Sequence, residues 1–192
     1  MDALLHTIRD RHHEALDGFF AQCGATLTAL ADQCAQALGD GGTLFFCGNG
    51  GSACDAMHIA GEFVGRFVDD RRALAAIALT ADSGILTAIA NDYGYEQVFS
   101  RQVEALGKKG DVLITLSTSG KSPSILAALK AAKAQGLATA LFTGEKGAQQ
   151  KENVDFLLAV PSLITAHIQE AHQTGLHALA TLVESRILPG KA

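Results

Sequence analysis

Residues 45–62 read FFCGNGGSACDAMHIAGE. An apolar run breaks at a turn built from Gly48, Asn49, Gly50 and Gly51, and a helix-forming stretch follows from Ser52. Apolar strand, glycine turn, helix is the opening of a βαβ unit. The rest of the chain repeats that alternation. Strands are predicted at TLFFC (43–47), ALAAIAL (73–79), DVLITL (111–116), ATALFT (138–143) and DFLLAV (155–160). Helices are predicted from Ser52 to about Phe67, over 83–90 and 94–106, from Ser122 to about Gln135, and from about Leu163 to Ile187. Strands that are apolar along their whole length are buried on both faces, as in parallel sheets. Right-handed crossovers then give an α/β fold: a three-layer, doubly wound, five-stranded parallel sheet of flavodoxin-like type. Ligands in such sheets bind beyond the C-terminal strand ends, where the glycine and serine loops of this chain lie.

The first 40 residues are different. Leu4, Leu5, Ile8, Leu16, Phe19, Phe20, Cys23, Leu27, Leu30, Cys34 and Leu38 recur at helical spacing, and Gly39, Gly41 and Gly42 end the pattern. This N-terminal helical arm either folds back on its own sheet or packs against another subunit. The organisation expected is a single domain over 1–192, with residues 1–40 as an oligomerisation arm and 41–192 as the α/β core.

A chain of 192 residues suits one such domain. Its net charge of −5 and the lack of a basic patch argue against a nucleic-acid surface. No apolar stretch is long enough for a membrane span, and the N-terminus lacks the apolar core of a secretory signal. Cys23, Cys34, Cys47 and Cys54 form no C-x-x-C pair, so reduced thiols in the cytoplasm are expected, with Cys54 the most accessible.

Two loops suit a phosphorylated ligand. Ser117-Thr118-Ser119-Gly120-Lys121-Ser122 joins a strand to a helix start. Four hydroxyls and free helix-start N–H groups can seat a phosphate monoester, although an ordinary serine N-cap reads the same way. The glycine turn permits close backbone approach, with Asn49 and Ser52 available to hydroxyls. The spacing is neither a P-loop nor a dinucleotide fingerprint.

His58 and Glu62 lie one helical turn apart. In HIQEAHQTGLHAL, Gln169 and His177 share a helix face about 12 Å apart along the axis. His58, Glu62, Gln169 and His177 together offer a zinc-type donor set, with His172 a rival to Gln169. The rise between Gln169 and His177 means that both must lean inward or that one ligand comes from a neighbouring subunit. A surface His–Glu pair is the plainer alternative.

CGNGGSACDAMHIAGEFVGRF, LTAIANDYGYEQVFSRQVEALGKKGDVLITLSTSGKS and IQEAHQTGLHAL closely resemble bacterial phosphoheptose isomerases, which have the sugar-isomerase, or SIS, fold. The resemblance covers nearly the whole chain and is weakest over the arm. It implies an aldose–ketose isomerase that interconverts sedoheptulose 7-phosphate and D-glycero-D-manno-heptose 7-phosphate, the first step toward nucleotide-activated heptose for lipopolysaccharide core or other surface glycans. It implies a cytoplasmic homotetramer with sites at subunit interfaces and one zinc ion per subunit. By motif, His58, Glu62, Gln169 and His177 match the metal set, with Glu62 and His177 as catalytic base and acid. Asn49, Gly50, Gly51 and Ser52 match the sugar turn, Asn91 and Asp92 a further substrate contact, and Ser117, Thr118, Ser119 and Ser122 the phosphate loop. Glu62 and Gln169 would also touch substrate, and Arg66, one turn beyond Glu62, would steady an anion. Family members often carry an acidic or small polar residue and then Arg before the I-Q-E run, where this chain has Ala166 and His167. The alternatives are a non-catalytic SIS tetramer that binds the replication initiator protein, which lacks the metal-binding His and Glu, and another phosphosugar isomerase.

Overall fold

The computed structural model describes residues 2–188. The chain begins with a 37-residue helix, α1 (Ala3–Gly39), whose N-terminus is capped by the Asp2 carboxylate accepting from Leu4 N–H at 2.8 Å. Five strands follow: β1 (Leu44–Gly48), β2 (Ala76–Ala78), β3 (Val112–Ser117), β4 (Ala138–Gly144) and β5 (Phe156–Val160). All pair in parallel, in the order β2-β1-β3-β4-β5. Successive side chains of a strand point to opposite faces, and the core divides accordingly. Leu44 and Phe46 of β1 join Ile114, Phe142 and Leu158 on one face; Phe45 and Cys47 join Leu113 and Leu141 on the other.

The first face is covered by α1, α2 (Gly51–Val64) and α6 (Thr165–Ile187). The second is covered by α4 (Ser100–Leu106) and α5 (Pro123–Gln135), with α3 (Ser83–Tyr93) alongside. Helices on both faces of a parallel sheet complete the three-layer, doubly wound arrangement.

From Ala15 onward α1 lies back on its own fold. Phe19, Leu30 and Cys34 are fully buried, Phe19 stacks toward Phe142, and Cys23 Sγ donates to the Ala159 carbonyl of β5 at 3.5 Å. The leading turns behave otherwise: Leu4, Leu5 and Ile8 remain exposed. The arm therefore divides into a rear part that serves its own core and a front part that this chain does not cover.

Two boundaries depart from expectation for reasons visible in the backbone. The second strand, expected over 73–79, pairs only through Ala76–Ala78, because Leu74 N–H donates to the Phe63 carbonyl at the end of α2 instead of to the sheet. The helix expected to reach Phe67 stops at Val64. The Glu184 carboxylate takes the amides of Phe67 and Val68 out of any helical register, at 3.1 and 3.2 Å. A 3-10 segment at Glu145–Asn153 carries no apolar periodicity and was not expected from the sequence.

Candidate active site

The glycine turn is where the first strand comes closest to the helix that follows it. Gly50 caps α2 with φ of 59°, a backbone state that side chains disfavour. A Cβ on Gly48 would stand 2.5 Å from the Ser52 carbonyl oxygen, so glycine alone lets α2 start directly beneath β1. Ser52 is consequently buried against Gly48, in packing rather than at the open mouth of the turn. Gly51 has the same need toward α6: a Cβ there would meet Gln169 Nε2 at 2.6 Å.

Asn49 holds the two loops together. Its amide donates to Ser122 Oγ at 2.8 Å and to Ser124 Oγ at 3.1 Å, and its carbonyl accepts from Tyr95 O–H at 2.8 Å. The side chain expected to meet a sugar hydroxyl is thus a brace between the glycine turn and the hydroxyl loop. Within that loop Ser117 is buried at the end of β3, and Gly120 takes φ of 64° with Gly147 packed against it. Ser122 caps α5, with Pro123 next. Thr118 and Ser119 line a small pocket shared with Lys146, Ser162 and Thr165. Lys146 is a cation that sequence reasoning passed over, because no motif marks it.

Between them α2 and α6 bring three chemically active groups together. His58 Nε2 lies 2.9 Å from His177 Nε2 and 3.3 Å from Glu62 Oε1. The ligand atoms of His58, Glu62 and His177 fall within 4.8 Å of one another. The Phe67 ring stacks on His177, with centroids 5.2 Å apart, and limits how that imidazole can turn. At 2.9 Å only one of the two facing ring nitrogens carries the proton. Two imidazoles and a carboxylate gathered around one point make the donor set of a borderline cation such as zinc, so the residues fit such an ion.

Gln169 precedes His177 by about two turns of the unbroken helix α6. It lines an adjoining pocket with Gly51, Asp55 and Gln173. Gln173 takes the place beside His177, its Nε2 at 2.9 Å from His177 Nε2, while its buried Oε1 has no hydrogen-bond partner. A half-turn of that amide would exchange the two atoms and present the oxygen to the cluster. Spacing i,i+4 on α6 marks Gln173 in the sequence as a neighbour of His177. His172, the rival, is fully buried with Nε2 at 3.1 Å from the Thr143 carbonyl. Burial holds its pKa down to about 4, so it is a neutral core residue.

Among the described residues Arg66 donates to the Val68 carbonyl, at 3.4 Å. Asn91 donates to Asp92 at 2.7 Å on the exposed end of α3. Asp55, three residues before His58, has a buried Oδ2 without a hydrogen-bond partner. Burial raises its pKa, opposed by His58.

A doubly wound sheet with hydroxyls at one strand end and a His–Glu–His cluster at another defines an SIS-type α/β protein, and a family model described as SIS domain matches residues 9–144. A phosphoheptose isomerase of Burkholderia pseudomallei (strain 1710b) is 57% identical over 163 residues, 85% of this chain and 83% of the relative. One from Synechocystis is 52% identical over 170 residues, 88% of this chain and 87% of the relative. Among solved structures, phosphoheptose isomerase GmhA from Neisseria gonorrhoeae superposes with a TM-score of 0.88 at 38% identity, covering 94% of this chain and 97% of that one. A phosphoheptose isomerase from Francisella tularensis gives 0.89 at 32%, covering 96% and 100%. The chain belongs to the phosphoheptose isomerase family of SIS-domain proteins.

Proposed function

We propose that this chain is an aldose–ketose isomerase that converts sedoheptulose 7-phosphate to D-glycero-D-manno-heptose 7-phosphate. The observation that carries the reading is the meeting of Glu62 with His58 and His177 across two helices, in a chain 57% identical to a named phosphoheptose isomerase. The replication-initiator alternative is disfavoured by the same trio, since the metal-binding His and Glu are what such relatives lack.

The reaction moves a proton between C1 and C2 through an enediol. A base must take the carbon-bound proton and an acid must serve the carbonyl oxygen. Glu62 is the base, with its carboxylate partly exposed. His177 is the acid, steadied by Phe67 and Gln173. The phosphate sits on Thr118, Ser119 and the start of α5, with Ser117 and Ser122 shaping the loop and Lys146 close enough to add charge. Binding energy from that remote end orients the reacting end. Gly50 and Gly51 admit the sugar chain, Gln169 meets it from the adjoining pocket, and Asn91 and Asp92 are expected to reach it from α3 of a neighbouring copy.

His58, Glu62 and His177, with Gln169 leaning toward them, would hold one zinc ion per subunit, which when bound supplies charge that polarises the substrate oxygens. Glu62 would hold such an ion through one carboxylate oxygen and keep the other to act as base. The exposed Leu4, Leu5 and Ile8 of the arm are apolar surface suited to another copy in a homotetramer. Among the described residues no helix is long and apolar enough to cross a membrane, and the reading places the enzyme in the cytoplasm.

The test is incubation with sedoheptulose 7-phosphate, following the aldose by NMR with and without chelator. No aldose under either condition would refute the reading. Ser119→Ala is expected to raise KM about tenfold with a smaller change in kcat, since a hydrogen bond to a charged phosphate is worth about 1.5 kcal/mol or more. Steady-state kinetics checks it, and an unchanged KM would move the phosphate elsewhere.

A further inference from the structure

Where α1 crosses the start of α6, a second group of imidazoles and a carboxylate gathers. His12 Nδ1 lies 2.7 Å from Glu170 Oε2, and His167 Nδ1 lies 3.2 Å from the same oxygen. The ligand atoms of the three residues all fall within 4.8 Å of one another. The isomerase reading uses none of them. His167 is nearly buried, His12 is about a third exposed and Glu170 half exposed.

We propose that His12 Nδ1, His167 Nδ1 and Glu170 Oε2 form a second divalent-cation site of zinc type, which clasps α1 to α6. Without a cation, both rings donate Nδ1–H to one carboxylate oxygen. With one, each ring carries its proton on Nε2 and offers Nδ1 as a neutral ligand, so the exchange needs no buried charge on either ring. In a tetrahedral zinc site with bonds of about 2.0–2.1 Å, neighbouring ligand atoms stand roughly 3.3 Å apart. The His167–Glu170 pair already has that spacing at 3.2 Å, and the His12–Glu170 pair must open from 2.7 Å. Glu170 can swing that far because half of its side chain is in solvent. Three protein ligands leave one position for water.

The ligands come from positions 12, 167 and 170, on two helices. Only the folded chain brings them together, so binding there stabilises the fold. The clasp also borders the pocket that holds Gly51 and Gln169, since His12 and Glu170 are part of its wall. It would fix the part of α1 just beyond the exposed Leu4, Leu5 and Ile8.

The experiment is zinc titration of the full-length, chelator-stripped protein, read by calorimetry and by metal analysis after gel filtration. Four chains are compared: wild type, His58→Gln/His177→Gln, His12→Gln/His167→Gln, and the combination of all four substitutions. Glutamine can keep the hydrogen bonds to Glu170 and Glu62 but is a weak zinc ligand, and circular dichroism checks that each chain is folded. Two zinc ions per chain are expected for wild type, one for each double variant and none for the quadruple variant. A second measurement is the melting temperature of His58→Gln/His177→Gln, expected to rise by about 5 °C at a hundredfold excess of zinc over Kd. Zero uptake by His58→Gln/His177→Gln, or undiminished uptake by His12→Gln/His167→Gln, overturns the second site. Zero uptake by His12→Gln/His167→Gln instead removes the cation from the His58 cluster and leaves the clasp standing.

Discussion

Glu62→Gln is expected to lower kcat roughly 10³-fold while KM for sedoheptulose 7-phosphate stays within about threefold, because a positioned base contributes about 10²–10⁴. The substitution keeps the size of the side chain and one acceptor oxygen while removing the charge and the capacity to accept a proton. Glu62 Oε1 stands 3.3 Å from His58 Nε2, and a glutamine oxygen can occupy the same place. The phosphate loop at the other strand end is untouched, which is why binding should persist. The variant also weakens a metal site, so zinc content must be measured beside the rate. A rate restored in full by excess zinc would make Glu62 a ligand and not the base. A rate that stays low in a zinc-loaded protein keeps it as the base.

The helix pair that carries this chemistry was readable because periodicity and spacing speak to it. His58 and Glu62 are four apart on one helix, and the strands around them are apolar throughout, so the layer order and the placing of the loops followed from pattern alone. What the pattern missed depends on three-dimensional partners far away in the chain. Gln169 shares a face with His177 two turns away, and the place directly beside His177 on that helix is taken by Gln173. His172 looks like a ligand in one dimension; in space its ring packs edge-on against Phe142 and is wholly buried. Asn49 looks like a free polar side chain, but Ser122 and Ser124 at the start of α5 and Tyr95 claim it from two other segments. Arg66 continues the helix face of Glu62 in the sequence, but that face ends at Val64.

Arg71 is the arginine that matters to Glu62. Its guanidinium is almost wholly buried, with Nε donating to Glu184 Oε1 at 2.7 Å. Nη2 donates to the Glu62 carbonyl at 2.7 Å, and Nη1 to the Phe63 carbonyl at 2.9 Å and the Gly65 carbonyl at 3.2 Å. These are carbonyls that the end of α2 leaves without helical partners. Glu184 in turn accepts the amides of Phe67, Val68 and Asp69. Burial alone would raise its pKa, but those three amides and Arg71 hold it below the ordinary carboxylate value. Arg71→Ala strands a buried carboxylate and uncaps the helix that presents the catalytic pair. The expected loss is about 3–5 kcal/mol, or on the order of 10 °C in melting temperature for a chain of this size. Arg71→Lys should recover only part of this, because an ammonium cannot reach Glu184 and the carbonyls on both sides at once. The pH dependence has a definite sign. A carboxylate whose folded pKa is depressed stabilises the fold above its ordinary value of 4.5, and that contribution is lost as pH falls through the folded value. The gap between wild type and Arg71→Ala should therefore be full at pH 7 and narrow on acidification below about 4.5. Thermal denaturation of both chains across that range measures it. Equal melting temperatures at pH 7 would mean that the Arg71–Glu184 pair does not set the end of α2.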